Sequence, residues 1–340
     1  MRILSMIVAG LALLAGGAAA QGGAAEPLEP RETVRIAYVP ITKFGTLYVA
    51  AERGIFDAYG LDVQIDRVAS GTEAIAFLEQ GQIDVGGIAI VVSLWNGWDQ
   101  GLDLRVIAPG GLEPFAGSPT KLMLRADLQD DVASIADLRG RTVAVAGGPG
   151  SGGEYLAAKA LERGGLTIFD VNLVNVGNPD MPLSFESGAI DAGILGAPFA
   201  DQAEAGGFAV PFAEDLTPGL MTVAFVGSGR FVEERPEAAR RFALALLEAA
   251  RLMQGDELFS RENLDAFLTY LPGTTEEALQ SGAPVVYDPN QEIPVDGLAD
   301  VERVHRENGR TAYETPIDLA DVVESSFMEW ALERSGAFGD

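Results

Sequence analysis

What most constrains this chain is a unit of strand, loop and helix that recurs along it. The unit is first met at Val34 to Phe56, VRIAYVPITKFGTLYVAAERGIF. VRIAYV reads as a short buried strand, Pro40 and Gly45 break it, and Leu47, Ala50, Ala51 and Ile55 then recur at helical spacing. The loop from Pro40 to Thr46 therefore lies at the carboxyl end of a strand, where open α/β sheets place their ligands. One such loop makes one jaw of a clamp, and the rest of the chain is expected to supply the other.

It does so in a second block built from the same parts. In the first block LDVQIDRV alternates as a strand, and Ser70 or Thr72 is placed to cap the helix AIAFLEQG and leave N–H groups facing the same cleft. IDVGGIAIVV is a strand with a Gly-Gly break; the helix after it carries Trp95 and Trp98, read as packing residues, and LRVIAPG follows as another buried strand. KLMLRADL opens the second block, in which TVAVA is the strand, Gly147 to Gly153 the turn, and EYLAAKALERG a helix ended by Gly164-Gly165. VNLVNV, a helix through Leu183 and Phe185, and AIDAGILG lead on to Ala197-Pro198-Phe199. Strands alternating with helices predict parallel sheets. TVAFVGS reads as the return strand, and the helical remainder is expected to pack on the first lobe and make it discontinuous. Its helices are placed from Pro236 and around 263–271, 276–280, 299–308 and 319–334.

At 340 residues the chain exceeds what one hydrophobic core usually serves, which also favours a two-lobed α/β body. The expected division is a signal peptide over 1–20, a flexible leader over 21–32, a first lobe from 33–111 and 225–340, and a second lobe from 112–224. The signal reading rests on Arg2, the apolar run Ile3 to Leu14, and the small residues Ala18 and Ala20. No later stretch approaches the roughly twenty apolar residues of a membrane helix, so a protein exported to the periplasm is expected. The absence of cysteine removes disulfides, thiolate nucleophiles, Cys-based metal sites and a lipidated cysteine. A net charge of -27 makes nucleic acid an improbable partner.

Gly148-Pro149-Gly150-Ser151-Gly152-Gly153 matches G-x-G-x-x-G, but the following strand ends in Val174-Asn175-Val176, without an acid to grip a ribose. Gly153-Glu154 stands where a P-loop needs Lys and Ser/Thr. No cofactor or metal is therefore expected. The loop is either a plain tight turn or a place where backbone N–H groups, carrying about half a positive charge, meet a polar or anionic ligand. His305, the single histidine, lies between Arg303 and Arg306 and reads as a surface residue, which leaves histidine-based hydrolysis without its base.

Four stretches together resemble the periplasmic substrate-binding proteins of ABC importers in the NMT1/THI5-like, SsuA/TauA-like group: TLYVAAERGIF, SGTEAIAFLEQGQIDVGG, ADLRGRTVAVAGGPGSGGEYLAAKALERGGL and FESGAIDAGILGAPFADQA. The resemblance implies two α/β lobes of the periplasmic binding protein type II-like fold, joined by two crossing segments and closing on a ligand. It implies a non-enzymatic monomer that delivers its ligand to an ABC permease in the inner membrane with a separate ATPase. Carried onto this sequence, it places Tyr38, Pro40, Lys43, Phe44, Gly45, Ser70 and Gly71 in the cleft, with Gly87 and Ala89 after the third strand. From the second lobe it places Gly150, Ser151, Gly152, Asp180, Met181, Pro198 and Phe199 there; Asp180 is also read as a helix cap. With Lys43 and two helix starts in the cleft, a small organic anion, sulfonate or carboxylate, is the first expectation and a pyrimidine-like thiamine precursor the second. An enzyme of the thiamine-pyrimidine synthase type, which relies on histidine, a PLP-bearing lysine and a cysteine-rich segment, is disfavoured by the lack of cysteine.

Overall fold

The computed structural model describes residues 24–68, 70–196, 199–280 and 283–339. The signal-peptide expectation and Pro198 lie outside these residues. Along the first block run β1 (Glu32–Tyr38), α1 (Gly45–Glu52), α2 (Ile55–Ala58), β2 (Leu61–Arg67), α3 (Gly71–Glu79), β3 (Val85–Ala89), α4 (Val92–Asp99) and β4 (Leu104–Pro109). The second block holds β5 (Thr120–Arg125), β6 (Thr142–Val145), α5 (Gly152–Glu162), β7 (Asn172–Asn175), α6 (Met181–Glu186), β8 (Ala192–Gly196), α7 (Phe199–Ala205) and β9 (Ala209–Ala213). The chain then returns through β10 (Val223–Ser228) to α8 (Gly229–Glu234), α9 (Pro236–Arg251), α10 (Arg261–Tyr270), α11 (Glu276–Leu279), α12 (Val295–Glu307) and α13 (Ser326–Ser335).

Each block makes a five-stranded sheet, ordered β2-β1-β3-β10-β4 and β7-β6-β8-β5-β9. In both, the first three strands are parallel and the fourth is antiparallel. That fourth strand, β5 or β10, is the one that has just crossed from the other block. Strand pairing therefore anchors both crossings. Where they run side by side, Leu112 bridges Met221 on one side and Val286 on the other, so three segments meet at the hinge instead of the two expected.

The first lobe has a thick core of its own. The amphipathic α9 buries Phe242 against Phe225 and Phe56, at ring centroid distances of 5.9 and 5.5 Å. Burying one such ring stabilises by roughly 1.5–3 kcal/mol. Gly54 takes a left-handed φ of 70° that ends α1, so Ile55 starts a separate turn, α2, and does not extend the expected single helix.

Three further expectations are corrected. Residues 24–31, read as a flexible tether, lie on the first lobe: the Leu28 N–H donates to the Tyr59 carbonyl at 3.1 Å, and Ala24, Ala25 and Leu28 pack against the core. A Cβ at Gly60 would stand 2.5 Å from the Leu28 nitrogen, so this close approach needs glycine there. The helix expected over 319–334 is a 3-10 turn at Leu319–Asp321 followed by α13. Finally, α12 does not pack on the first lobe alone. Its Asp300 and Arg303 bond to Tyr155, Lys159 and Glu162 of α5 in the second lobe.

A divided cleft between the lobes

Loops at strand ends line cavities between the two lobes, with other side chains than those expected there. After β1 the chain turns through a short 3-10 segment into α1. Lys43, on that turn, sends its Nζ to the Glu113 carboxylate of the first crossing and to Thr222 Oγ1 of the second, the latter at 2.6 Å. The lysine expected to face a ligand anion is thus already matched, with only 16% of its side chain exposed.

The other anion site is filled in the same way. Ser151 caps α5, accepting from the Glu154 N–H at 3.2 Å and donating to the Ala146 carbonyl at 3.0 Å. The fully buried Glu154 carboxylate folds back to accept from the Gly150 N–H at 3.2 Å and takes a fork from Arg310, Nε at 2.9 and 3.1 Å and Nη2 at 2.8 Å. Hydrogen bonding to this carboxylate raises the Arg310 pKa further. A side chain of the protein therefore stands where an anionic ligand was expected. At Ser70, the corresponding cap of α3, the hydroxyl accepts from the Glu73 N–H at 3.3 Å. Both loops read S-G-x-E, the capping-box spacing, and that was the sequence signal for the internal carboxylate of Glu154.

Two cavities flank Lys43. The larger, about 360 Å³, has Thr42, Pro119 and Asp201 on its rim and an aromatic wall that includes Phe259, Phe267 and Tyr287. Tyr287 donates to the Thr42 carbonyl at 2.5 Å. The smaller, about 170 Å³, is lined by Ala89 at the end of β3 and Ile90 after it, Gly152 and Tyr155 of α5, Thr222 of the hinge, and His305 of α12. Here the lobes nearly touch, since a Cβ built at Gly150 would lie 3.0 Å from Val92 Cγ2.

His305 is the residue that sequence reasoning misplaced. It is 1% exposed, four residues after Val301 and seven after Leu298, on the apolar stripe of α12 and against the Tyr155 ring. That spacing was the available signal. Burial lowers its pKa to about 4, with Arg310 adding to the effect and Glu154 opposing it, so the imidazole is neutral at neutral pH. Its Nδ1 has no hydrogen-bond partner among the described residues. Tyr155 is pushed up by burial and by its 2.8 Å bond to Asp300, so it remains a neutral phenol.

Several expected cleft residues are core residues. Tyr38 is buried among Tyr48 and Tyr270 with its hydroxyl on the Tyr270 carbonyl at 3.0 Å. Phe44 packs on Phe225 and covers Gly87. Met181 is fully buried in the second lobe, and the half-buried Phe199 packs on the same cluster. Gly45 faces Phe267 and Tyr287 from behind, where a Cβ would come within 2.6 Å of the Phe267 ring and 2.5 Å of the Tyr287 hydroxyl. Gly71 lies over Ile88 and Pro40 is half-buried. Asp180 is exposed and makes no side-chain cap to α6. Trp95 and Trp98 pack together in the core, as read from the sequence.

Two α/β lobes exchanging strands across a hinged cleft define the fold of periplasmic solute-binding proteins. The chain belongs to the NMT1-like family, which it matches over residues 28–266. It is 24% identical over 232 residues to a putative binding protein of Brucella abortus, covering 64% of this chain and 65% of that protein. The chain thus spans somewhat less than two thirds of this relative. It is 26% identical over 265 residues to the riboflavin-binding protein RibY of Chloroflexus aurantiacus, covering 73% of this chain and 68% of RibY. A putative sulfonate ABC transporter periplasmic sulfonate-binding protein of Methylobacillus flagellatus superposes with a TM-score of 0.71 at 18% identity, covering 92% of this chain and 97% of that one. The desulfurization enzyme DSZB shares the fold too, with a TM-score of 0.60 at 20% identity over 90% of this chain and 100% of the enzyme. Among the described residues no helix is long and apolar enough to cross a membrane.

Proposed function

We propose that the chain is the extracytoplasmic solute-binding protein of an ABC importer, a non-enzymatic carrier that works in the periplasm and hands its cargo to a membrane permease. Its cargo is a compact, flat, uncharged organic molecule, of the pyrimidine or larger heteroaromatic class, held between the lobes. The observation that carries this reading is that Lys43 and the start of α5 are already satisfied from within, the lysine by Glu113 and the helix start by Glu154 with Arg310. An anion would have to enter beside these carboxylates, and like charges at close range disfavour that. The walls that remain are apolar and aromatic with a few polar groups, of which the charged one, Asp201, is itself an anion, and this suits a ring. The 26% identity to a riboflavin-binding protein supports the same class of ligand. Ligand contacts to both lobes would shift the open and closed populations toward closure.

The test is a thermal-shift screen over pyrimidines, flavins, sulfonates, carboxylates and nitrate, with small-angle scattering on the best compound. An uncharged ring should raise the melting temperature and reduce the radius of gyration, and Lys43→Met should bind it with an unchanged Kd. A best ligand that is anionic and lost in Lys43→Met overturns the uncharged-cargo reading and returns the sulfonate or carboxylate one. A screen without any binder overturns the carrier reading itself.

A further inference from the structure

The smaller cavity holds more than packing requires. Its volume of about 170 Å³ far exceeds the roughly 10–15 Å³ that admits one water. Most of its wall is apolar, and its polar groups are nearly all engaged. Tyr155 donates to Asp300, and Thr222 Oγ1 receives Lys43, although the threonine keeps its own hydroxyl proton to give. The Ile90 N–H is taken by the Thr222 carbonyl at 3.0 Å. His305 differs: it is buried, lines the cavity and has an unpartnered ring nitrogen. No described residue bonds to either nitrogen of this imidazole, so a polar group lodged in the cavity that reaches the ring gains a hydrogen bond in a largely apolar surrounding.

We propose that His305 is the specificity-determining contact of this chamber, which takes one face of a small uncharged ring whose adjacent donor and acceptor pair with the imidazole and with the Thr222 hydroxyl. Aminopyrimidines and cyclic amides have this pattern; carbocyclic isosteres of the same shape do not. The neutral imidazole offers one donor and one acceptor, so it selects by hydrogen-bond pattern and not by charge. Gly152 forms the open edge of the chamber. Nothing lies within 4 Å of a Cβ built there, and its backbone is not in the left-handed region, so a larger side chain fits without strain and occupies the ligand's space. The role in transport rests on the carrier reading above, whereas the contact itself does not.

The experiment uses the untagged protein with 4-aminopyrimidine and cytosine as probes and aniline as the isostere. Titration calorimetry should show the two heterocycles binding at least about tenfold tighter than aniline, as expected for one buried hydrogen bond. His305→Leu should lose that preference, His305→Gln should restore binding to within about threefold, and Gly152→Leu should weaken it by more than about tenfold. Because the chain has a single histidine, its imidazole ¹⁵N signals need no assignment, and they should shift on adding 4-aminopyrimidine. A ligand that binds wild type, His305→Leu and Gly152→Leu alike, with unmoved imidazole signals, overturns the proposal while leaving the carrier reading intact. If neither heterocycle binds but another compound from the broad screen does, the ligand class is wrong. Absence of any binder removes both.

Discussion

Each lobe buries a carboxylate, and the two are satisfied from different places. In the first lobe Asp84, 5% exposed, bonds to Arg35 at 2.8 Å and approaches Arg235 at 3.3 Å, both residues of that lobe. Burial alone would push its pKa up, and the arginines and the Arg35 N–H outweigh that to hold it below the usual carboxylate range. In the second lobe Glu154 is matched by Arg310, which arrives from the C-terminal excursion after α12. The excursion leaves the hinge near Val286, lays α12 along α5, and rejoins the first lobe where Val106 bridges Val323. Two sheets of the same order are thus completed differently: the first lobe is self-contained, and the second borrows a helix that also forms one wall of the cleft.

The largest effect expected from breaking this arrangement is that of Arg310→Ala. It strands a fully buried carboxylate and should destabilise the protein by about 3–5 kcal/mol in urea unfolding. Adding Glu154→Gln should recover much of that loss. If Arg310→Ala alone costs under about 1 kcal/mol, Glu154 is not dependent on the excursion and the comparison fails. Acid should act next. His305 titrates near 6.5 when unfolded and at about 4 when folded, so the unfolded chain takes up the proton first as pH falls. The stability it protects is complete above pH 6.5 and declines toward pH 4 by about 3 kcal/mol in total, with Glu154 and Arg310 the charges facing the ring. His305→Gln should remove that slope. The neighbouring Tyr155 adds nothing here, because it stays neutral throughout. A variant with the same pH profile as wild type would put the titrating group elsewhere.

The two α/β lobes with parallel strands were legible because strand, turn and helix alternate in a pattern that periodicity reads well, as in TVAVA followed by its glycine turn. β9 was not, since Ala209–Ala213 is short, contains Pro211 and sits at a sheet edge, where strands carry little signal. Tyr38 and Phe44, expected in the cleft, turn into the core. A strand-end loop tells where a cleft lies, but whether an aromatic there turns inward depends on Tyr270 and Phe225, far away in sequence. The partners of Lys43 and Glu154 were hidden for the same reason, being 70 and 156 residues distant. His305 was misread because its arginine neighbours, Arg303 and Arg306, suggested solvent while its i−4 and i−7 positions pointed to the core.

The smallest expected effect is also the most local. Tyr155→Phe removes the 2.8 Å bond from its hydroxyl to Asp300 but leaves Asp300 with Lys159 at 3.0 Å and Arg303 at 2.7 Å. Because the carboxylate keeps both cations, the loss should be about 1 kcal/mol, the ordinary value for one hydrogen bond. Hydrogen exchange should locate it. If the second lobe borrows α12 as a unit, amides of α5 and α12 should lose protection together, while those of α9, which packs only within the first lobe's core, keep theirs. Loss of protection confined to α5 would mean that α12 is held by the first lobe after all, and loss in α9 as well would mean that the two lobes unfold as one. Only the paired loss fits a helix shared across the cleft, where a change in its grip on α5 also changes the cavity wall that His305 lines.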